Sequence, residues 1–426
     1  MFDRPSFTPM IVRAVAALVL TCALTCGGAS AVSLKQRPQA PKSPEEPMTF
    51  YVVKGAPDAC GRGCDIWIEA EGKVEADTAA RLKTFLDRLR DRNLPIYFAS
   101  PGGNLDQAIA MGNLLHGRTS VARVGRAMVR ECGFEAQDSD VCVKLKRSGR
   151  ELHGDLFTGG AICASACPYA FLGATVHEVA PDAILAIHSP KVILDFRGGQ
   201  PEAFVIAAAN QRGRERADRV ASTYLAKMGI DAGLLALTRT VKFEDIHVLT
   251  RDEIARFGLD RRELVETAWR FEPTALNMVR KIATVRAPGE TSFRLMQWRV
   301  FCFDTDRFAL DFQRPIPAAG IASVSIAHSG ASAVYFSGPT KGPSVEQWSM
   351  GLIRSRLDAL VNHPQIDIIE TSVAADGRLI PRATKLSNEG WAGAIETLLA
   401  SCPLSKGDLI VQMSSQATKS NEEAAK

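Results

Sequence analysis

The chain has 426 residues, 46% of them hydrophobic and 23% charged, with a formal net charge of +4. That length suits two domains, and the composition is globular rather than disordered or fibrous. So weak a charge, with no basic stripe interleaved with aromatics, argues against a nucleic-acid surface. The basic run from Gln211 to Arg216 contains Glu215 and reads as a solvated helix face.

In chain order, Arg4 and Arg13 precede an apolar run from Ala14 to Leu24, and small residues follow to Ala29-Ser30-Ala31. This pattern predicts a secretory signal peptide over 1–31, with an uncleaved anchor as the alternative. The run is short for a membrane span. The threonines before Cys22 and Cys26 argue against a lipid-modified cysteine. The mature chain is thus expected in the periplasm or outside the cell. Residues 32–48, rich in Pro, Lys, Gln and Glu, read as a linker.

Strands are expected over 49–53 and 65–70, then a helix from Asp77 to Leu89. A short strand, 94–99, runs into Ser100-Pro101-Gly102-Gly103-Asn104, followed by a helix over 105–115 and a strand over 120–124. This order predicts an α/β domain with parallel strands. Residues 127–158 are polar, hold Cys132 and Cys142, and read as an inserted loop closed by a disulfide. A helix opens near Ser165, and a strand over 183–188 ends at His188. Helices over 202–228, 232–240 and 251–257 complete a domain spanning 49–270. Beyond it, 275–416 reads as a C-terminal α+β domain without a catalytic motif. Its expected strands are 296–303, 321–327, 333–336 and 366–373, and its expected helices 344–360 and 391–400. Residues 417–426 are polar and are expected to form a disordered tail.

Removal of the leader leaves eight cysteines: Cys60, Cys64, Cys132, Cys142, Cys163, Cys167, Cys302 and Cys402. An even number in an exported chain favours disulfides over a metal site. Spacing suggests Cys60 with Cys64, and Cys302 with Cys402. The middle four would pair among themselves. One arrangement staples the 127–158 loop to the Ser165 segment, through Cys132 or Cys142 to Cys163 or Cys167. Neither a metal nor a cofactor is expected.

Three features could carry chemistry. The Ser100–Asn104 turn joins a strand to a helix, where glycines bend the backbone and leave N–H groups uncovered. Taken alone it is a plain turn. Around Ser165, the run Gly159-Gly160-Ala161-Ile162-Cys163-Ala164-Ser165-Ala166-Cys167-Pro168 surrounds one hydroxyl with small residues, as a nucleophile requires. Taken alone, Ser165 is a helix N-cap. His188 stands 23 residues after Ser165 and could serve as its base.

The order Ser-Pro-Gly-Gly, Ala-Ser-Ala and Ile-His-Ser-Pro resembles the catalytic subunit of the Clp protease, signal peptide peptidase A and the wider crotonase-like superfamily. The segment His247 to Leu259 also resembles that family, so the likeness spans roughly residues 50–270. It is closest in style to a secreted Clp-like subgroup with a Cys-x-Ser-Ala-Cys turn. The resemblance implies an α/β fold with a repeated β-β-α core of the ClpP/crotonase type. It implies Ser165 as nucleophile, His188 as base, and oxyanion N–H groups from Gly102 and Ala166, with Gly103 supporting the turn. The family's acid position falls on Ile246, so Asp245, one residue earlier, becomes the third member; Glu244 ranks below it. A Ser–Lys variant would use Lys191.

The expected function is an exported serine peptidase acting on peptides or proteins. No nucleotide-binding G-x-x-x-x-G-K-[ST] motif is present, so an unfolding partner would be a separate chain. Self-association is expected from the resemblance. Two alternatives stand beside it: a catalytically degenerate scaffold that binds an envelope partner, and an acyl-CoA enzyme, which export disfavours.

Overall fold

The computed structural model describes residues 46–405 and 407, apart from 91, 119, 195–197, 200, 275, 287–288, 317–320, 328–331, 362 and 375. The expected signal segment, nearly all of the linker and the tail lie outside the described residues.

The fold is mixed α/β. Strand β1 (Thr49–Lys54) lies antiparallel to β2 (Ile66–Glu71). Helix α1 (Thr78–Leu89) buries Ala79, Leu82 and Leu86, a helical spacing that turns one stripe inward. Strand β3 (Ile96–Ala99) follows, then helix α2 (Leu105–His116) and β4 (Val121–Val124), with β2, β3 and β4 mutually parallel. Asn104 caps α2 by accepting the Gln107 N–H at 3.0 Å.

Residues 127–158 depart from expectation. They hold β5 (Arg126–Val129), helix α3 (Asp140–Lys146) and β6 (Leu152–Phe157). Strand β6 pairs parallel with β1 and antiparallel with β5, so the insert extends the sheet. The segment Leu152-His153-Gly154-Asp155-Leu156-Phe157 alternates buried and outward positions. That period of two marks a strand, although its polar content suggested a loop.

Next come β7 (Ile162–Ala164), α4 (Cys167–Phe171), β8 (Val176–Glu178) and β9 (Ile184–Ile187). Helices α5 (Ala203–Lys227) and α6 (Gly233–Thr240), strand β10 (His247–Val248) and α7 (Arg251–Arg256) follow. The main sheet runs β5-β6-β1-β2-β3-β4-β8, and a smaller one runs β10-β9-β7. A parallel bridge between Ser100 and Cys163 joins them. Leu82, Phe98, Met111, Phe171, Leu185 and Tyr224 belong to one core. A second cluster packs Trp67, Tyr97 and Leu152 with the Cys60–Cys64 and Cys132–Cys142 disulfides.

A buried polar knot fastens the insert. The Lys146 ammonium, 3% exposed, donates to Glu71 Oε2 at 2.6 Å and to the Gln137 carbonyl at 2.8 Å. Arg126 and the Tyr51 hydroxyl also donate to the Glu71 carboxylate, at 3.0 and 2.8 Å. Burial, reinforced by the negative charge of Glu71, holds the neighbouring Glu69 carboxyl well above the usual range. Lys146 and Arg126 both face the Glu71 side of this pair.

Beyond residue 260, the strands Leu264–Glu266, Met278–Val285, Arg294–Cys302, Arg307–Pro315, Val345–Ile353 and Ser337–Lys341 form one sheet in that spatial order. Val334–Tyr335, Ile321–Ala327, Gln365–Val373 and Leu379–Ser387 form another. A helix expected over 344–360 is a strand to Ile353 and a helix only from Arg354. Glu346, Trp348, Met350 and Leu352 alternate inward, which a helix cannot do. Trp298 stacks on Phe312 and Trp269 meets Trp391 edge-on in this core. Cys302 and Cys402 pair, tying a strand end to the end of the helix Trp391–Ser401. No helix among the described residues is long and apolar enough to cross a membrane.

Lys146→Ala leaves the buried Glu71 carboxylate without its closest cation. Urea unfolding is expected to show a loss of about 3 kcal/mol, the low end for a broken buried pair because Arg126 remains. A loss below about 1 kcal/mol would mean that the knot does not fasten the insert.

Candidate active site

The candidate residues gather where three strands end. Strands β7 and β9 are parallel, with Ala164 level with Ala186. Ser165 and His188 therefore leave the carboxyl ends of neighbouring strands, the edge where open α/β sheets present ligands. The Ser165 N–H donates to the Ala186 carbonyl at 3.0 Å, which seats the serine against β9. Ser100 ends β3 beside them: its N–H donates to the Ile162 carbonyl at 2.7 Å, and its carbonyl accepts the Ala164 N–H at 3.0 Å.

Ser165 has φ of 61°, a positive value found elsewhere only at Asp58 and Arg90 among the described non-glycine residues. That conformation costs a residue with a Cβ about 1–2 kcal/mol. Helix α4 begins two residues later, at Cys167, and its N-cap is Ala166, with no side-chain cap hydrogen bond. Ser165 is therefore not capping that helix. It stands half-buried at the corner of a sharp strand-to-helix turn, between buried Ala164 and Ala166. Cys163 and Cys167 are disulfide-bonded, with Cα atoms 5.3 Å apart, and close a small ring around that corner.

The staple expected between the insert and this turn is not formed. Cys132 pairs with Cys142 inside the insert, and Cys163 with Cys167 inside the turn. The reason is placement: the first two cysteines lie in the core around Trp67, the second two in the core around Phe98.

Gly102 and Gly103 press onto the serine turn. At Gly102, φ is 97°, and a Cβ there would lie 2.5 Å from the Ala164 carbonyl oxygen, 2.5 Å from Ser165 Cβ and 2.7 Å from the Ala166 nitrogen. At Gly103, φ is 134°, and a Cβ would meet the Val74 carbonyl. Only glycine fits either position. The Gly102 N–H, expected to face an oxyanion, instead donates to Ser100 Oγ at 3.1 Å. The N–H groups of Gly103 and Ala166 have no acceptor among the described residues. The unengaged pair thus differs by one residue from expectation. The reason is Ser100, whose buried hydroxyl reaches back into its own turn.

His188 is half-buried. Its Nδ1 lies 2.9 Å from the Ser189 carbonyl oxygen, and its ring meets Phe243 edge-on at 5.0 Å. No hydrogen bond joins it to Ser165 Oγ among the described residues. Asp245, the expected third member, is exposed and makes neither a hydrogen bond nor an ion pair to His188; its N–H closes a turn onto the Lys242 carbonyl at 3.1 Å. Glu244 is exposed as well. The Lys191 ammonium sits over the Phe243 ring at 5.3 Å. Sequence reasoning missed Ser100, Ser189 and Phe243. The signal for Ser189 is the proline after it, which keeps a residue extended. No group of His, Cys, Asp and Glu among the described residues is placed to hold a metal. A groove of about 670 Å³ lined by Phe50, Phe85, Arg81 and Arg147 lies along β1 and α1.

The left-handed backbone at residue 165 has a measurable consequence. Ser165→Gly is expected to be more stable than Ser165→Ala by about 1 kcal/mol, because glycine removes the Cβ penalty that alanine retains. Urea unfolding of the oxidised proteins checks this, and an alanine variant at least as stable would contradict the strained turn.

No protein-family profile and no curated protein matches the sequence. Among solved structures, a mutant of the 1510-N membrane-bound stomatin-specific protease is 13% identical, with a TM-score of 0.28 over 49% of this chain and 78% of that one. A ClpP1 mutant from Listeria monocytogenes is 16% identical, with a TM-score of 0.27 over 44% of this chain and 85% of that one. The invasion associated protein b from Bartonella henselae is 11% identical, with a TM-score of 0.25 over 32% of this chain and 96% of that one.

Proposed function

We propose that this chain is a serine hydrolase of the ClpP/crotonase-like kind that cleaves peptide bonds in exported polypeptides through an acyl-enzyme at Ser165. The observation that carries the reading is the turn itself. A serine held at φ of 61° between two alanines, with a glycine backbone against it, costs stability and packs no core. Backbone strain of this kind clusters where a side chain must be presented.

In this reading Ser165 Oγ attacks the substrate carbonyl carbon while His188 Nε2 takes the hydroxyl proton. The tetrahedral oxyanion faces the unengaged N–H groups of Gly103 and Ala166. Collapse breaks the C–N bond, and His188 returns the proton to the leaving amine. A water then repeats the sequence on the ester, releasing the acid and restoring Ser165. Four disulfides among the described residues support an oxidising compartment. Self-association and a separate unfolding partner remain part of the proposal.

A second reading, a non-catalytic scaffold of the same fold, is favoured by two observations: among the described residues Ser165 and His188 are not hydrogen-bonded, and Asp245 makes no hydrogen bond to the imidazole. Fluorophosphonate labelling of the oxidised protein separates the two. Labelling that Ser165→Ala abolishes and His188→Ala slows at least about 100-fold is expected of the hydrolase. A folded protein that stays unlabelled, and binds an envelope protein equally well with Ser165→Ala, would overturn it.

A further inference from the structure

If His188 is the base, something must fix its tautomer and aim its free nitrogen. We propose that the Ser189 carbonyl and the Phe243 ring do this, so that the site is a Ser–His dyad oriented by main chain and an aromatic edge, with no carboxylate. Ser189 and Phe243 are then positioning residues, and the inference rests on the hydrolase reading only for the word base.

The chemistry follows from one contact. A carbonyl oxygen only accepts, so at 2.9 Å from it Nδ1 must carry the proton. Neutral His188 then holds its lone pair on Nε2, the nitrogen a serine hydroxyl needs. In a Ser-His-Asp triad the buried aspartate has the same task, and its replacement by an amide fails largely through the wrong tautomer. A carbonyl keeps the tautomer and gives up the full negative charge.

The surroundings hold that carbonyl in place. Pro190 follows Ser189 and disfavours helical backbone there. The Ser189 N–H donates to the Val241 carbonyl at 2.9 Å, tying the same residue to the segment that carries Phe243. The Phe243 ring stands at 84° to the imidazole, closing one side of it. From the other strand, β10 pairs His247 with Ile187 and Val248 with Ala186. That pairing ends at His247 and Ile187, so β10 brings no carboxylate level with His188, and Ile246, the next residue outward, is exposed. The charged groups nearby are engaged or outward: Lys191 on the Phe243 ring, His247 with Glu253, Glu244 and Asp245 exposed.

The test needs no turnover. Two-bond ¹H–¹⁵N spectra of the full chain labelled in histidine, with His188→Gln for assignment, report which nitrogen is protonated. The expected pattern is protonated Nδ1 and bare Nε2, unchanged in Asp245→Asn, converted to a mixture of tautomers in Phe243→Ala and retained in Phe243→Tyr. A proton on Nε2, or a spectrum that shifts with Asp245→Asn, would overturn the assignment. Fluorophosphonate labelling on the same samples keeps the two ideas apart. A silent serine beside the expected spectrum counts against hydrolysis alone, and a labelled serine beside Nε2–H counts against this assignment alone.

Discussion

The site depends on how Ser100 is bonded. Its N–H and carbonyl bridge to Ile162 and Ala164, fusing the end of β3 to β7, and its hydroxyl accepts the Gly102 N–H. These three bonds fix where β7 ends, hence where Ser165 turns, and how closely Gly102 approaches it. Ser100 is fully buried, so each bond forms where water cannot substitute.

From that junction the other features follow as consequences of crowding. The space above the Ala166 nitrogen is open only because residue 102 has no Cβ. Ser165 adopts a left-handed backbone because the chain must leave a strand and enter α4 within two residues. The Cys163–Cys167 ring brackets those residues, and both sulfurs are buried among the core side chains. The Ser165 corner is thus held from both sides by covalent and packed structure, while His188 is held by a softer set of contacts.

Much of this was legible in the sequence, and the misses have separate physical causes. Glycine pairs, small residues around Ser165 and the apolar strand ending at His188 are local signals, readable because backbone geometry dictates residue type there. Ser100 as an acceptor was not readable, since a serine before proline looks like an ordinary turn. Asp245 rested on the resemblance alone, one residue from the family's position, and it lies on an exposed turn that its N–H closes onto the Lys242 carbonyl. The insert 127–158 and the strand Val345–Ile353 were misread for a different reason. Polar residues on the outward positions of a strand dilute its hydrophobicity, so alternation, and not average polarity, carries the signal. Glu346 adds to the confusion, being an inward carboxylate that accepts from the Trp348 indole.

The four disulfides have a property that no single one shows. Cys60 pairs with Cys64, Cys132 with Cys142, Cys163 with Cys167 and Cys302 with Cys402. Among the described residues the cysteines pair consecutively along the chain, first with second, third with fourth and so on, and no bridge encloses or interleaves with another. A polypeptide threaded into an oxidant from its N-terminus would meet its partners in the native order. First-come oxidation then gives the correct map, with no need for bonds to be broken and exchanged. The first three rings also close over short stretches, so they can form before the rest of the chain has arrived. Only the last one must wait for nearly the whole C-terminal half.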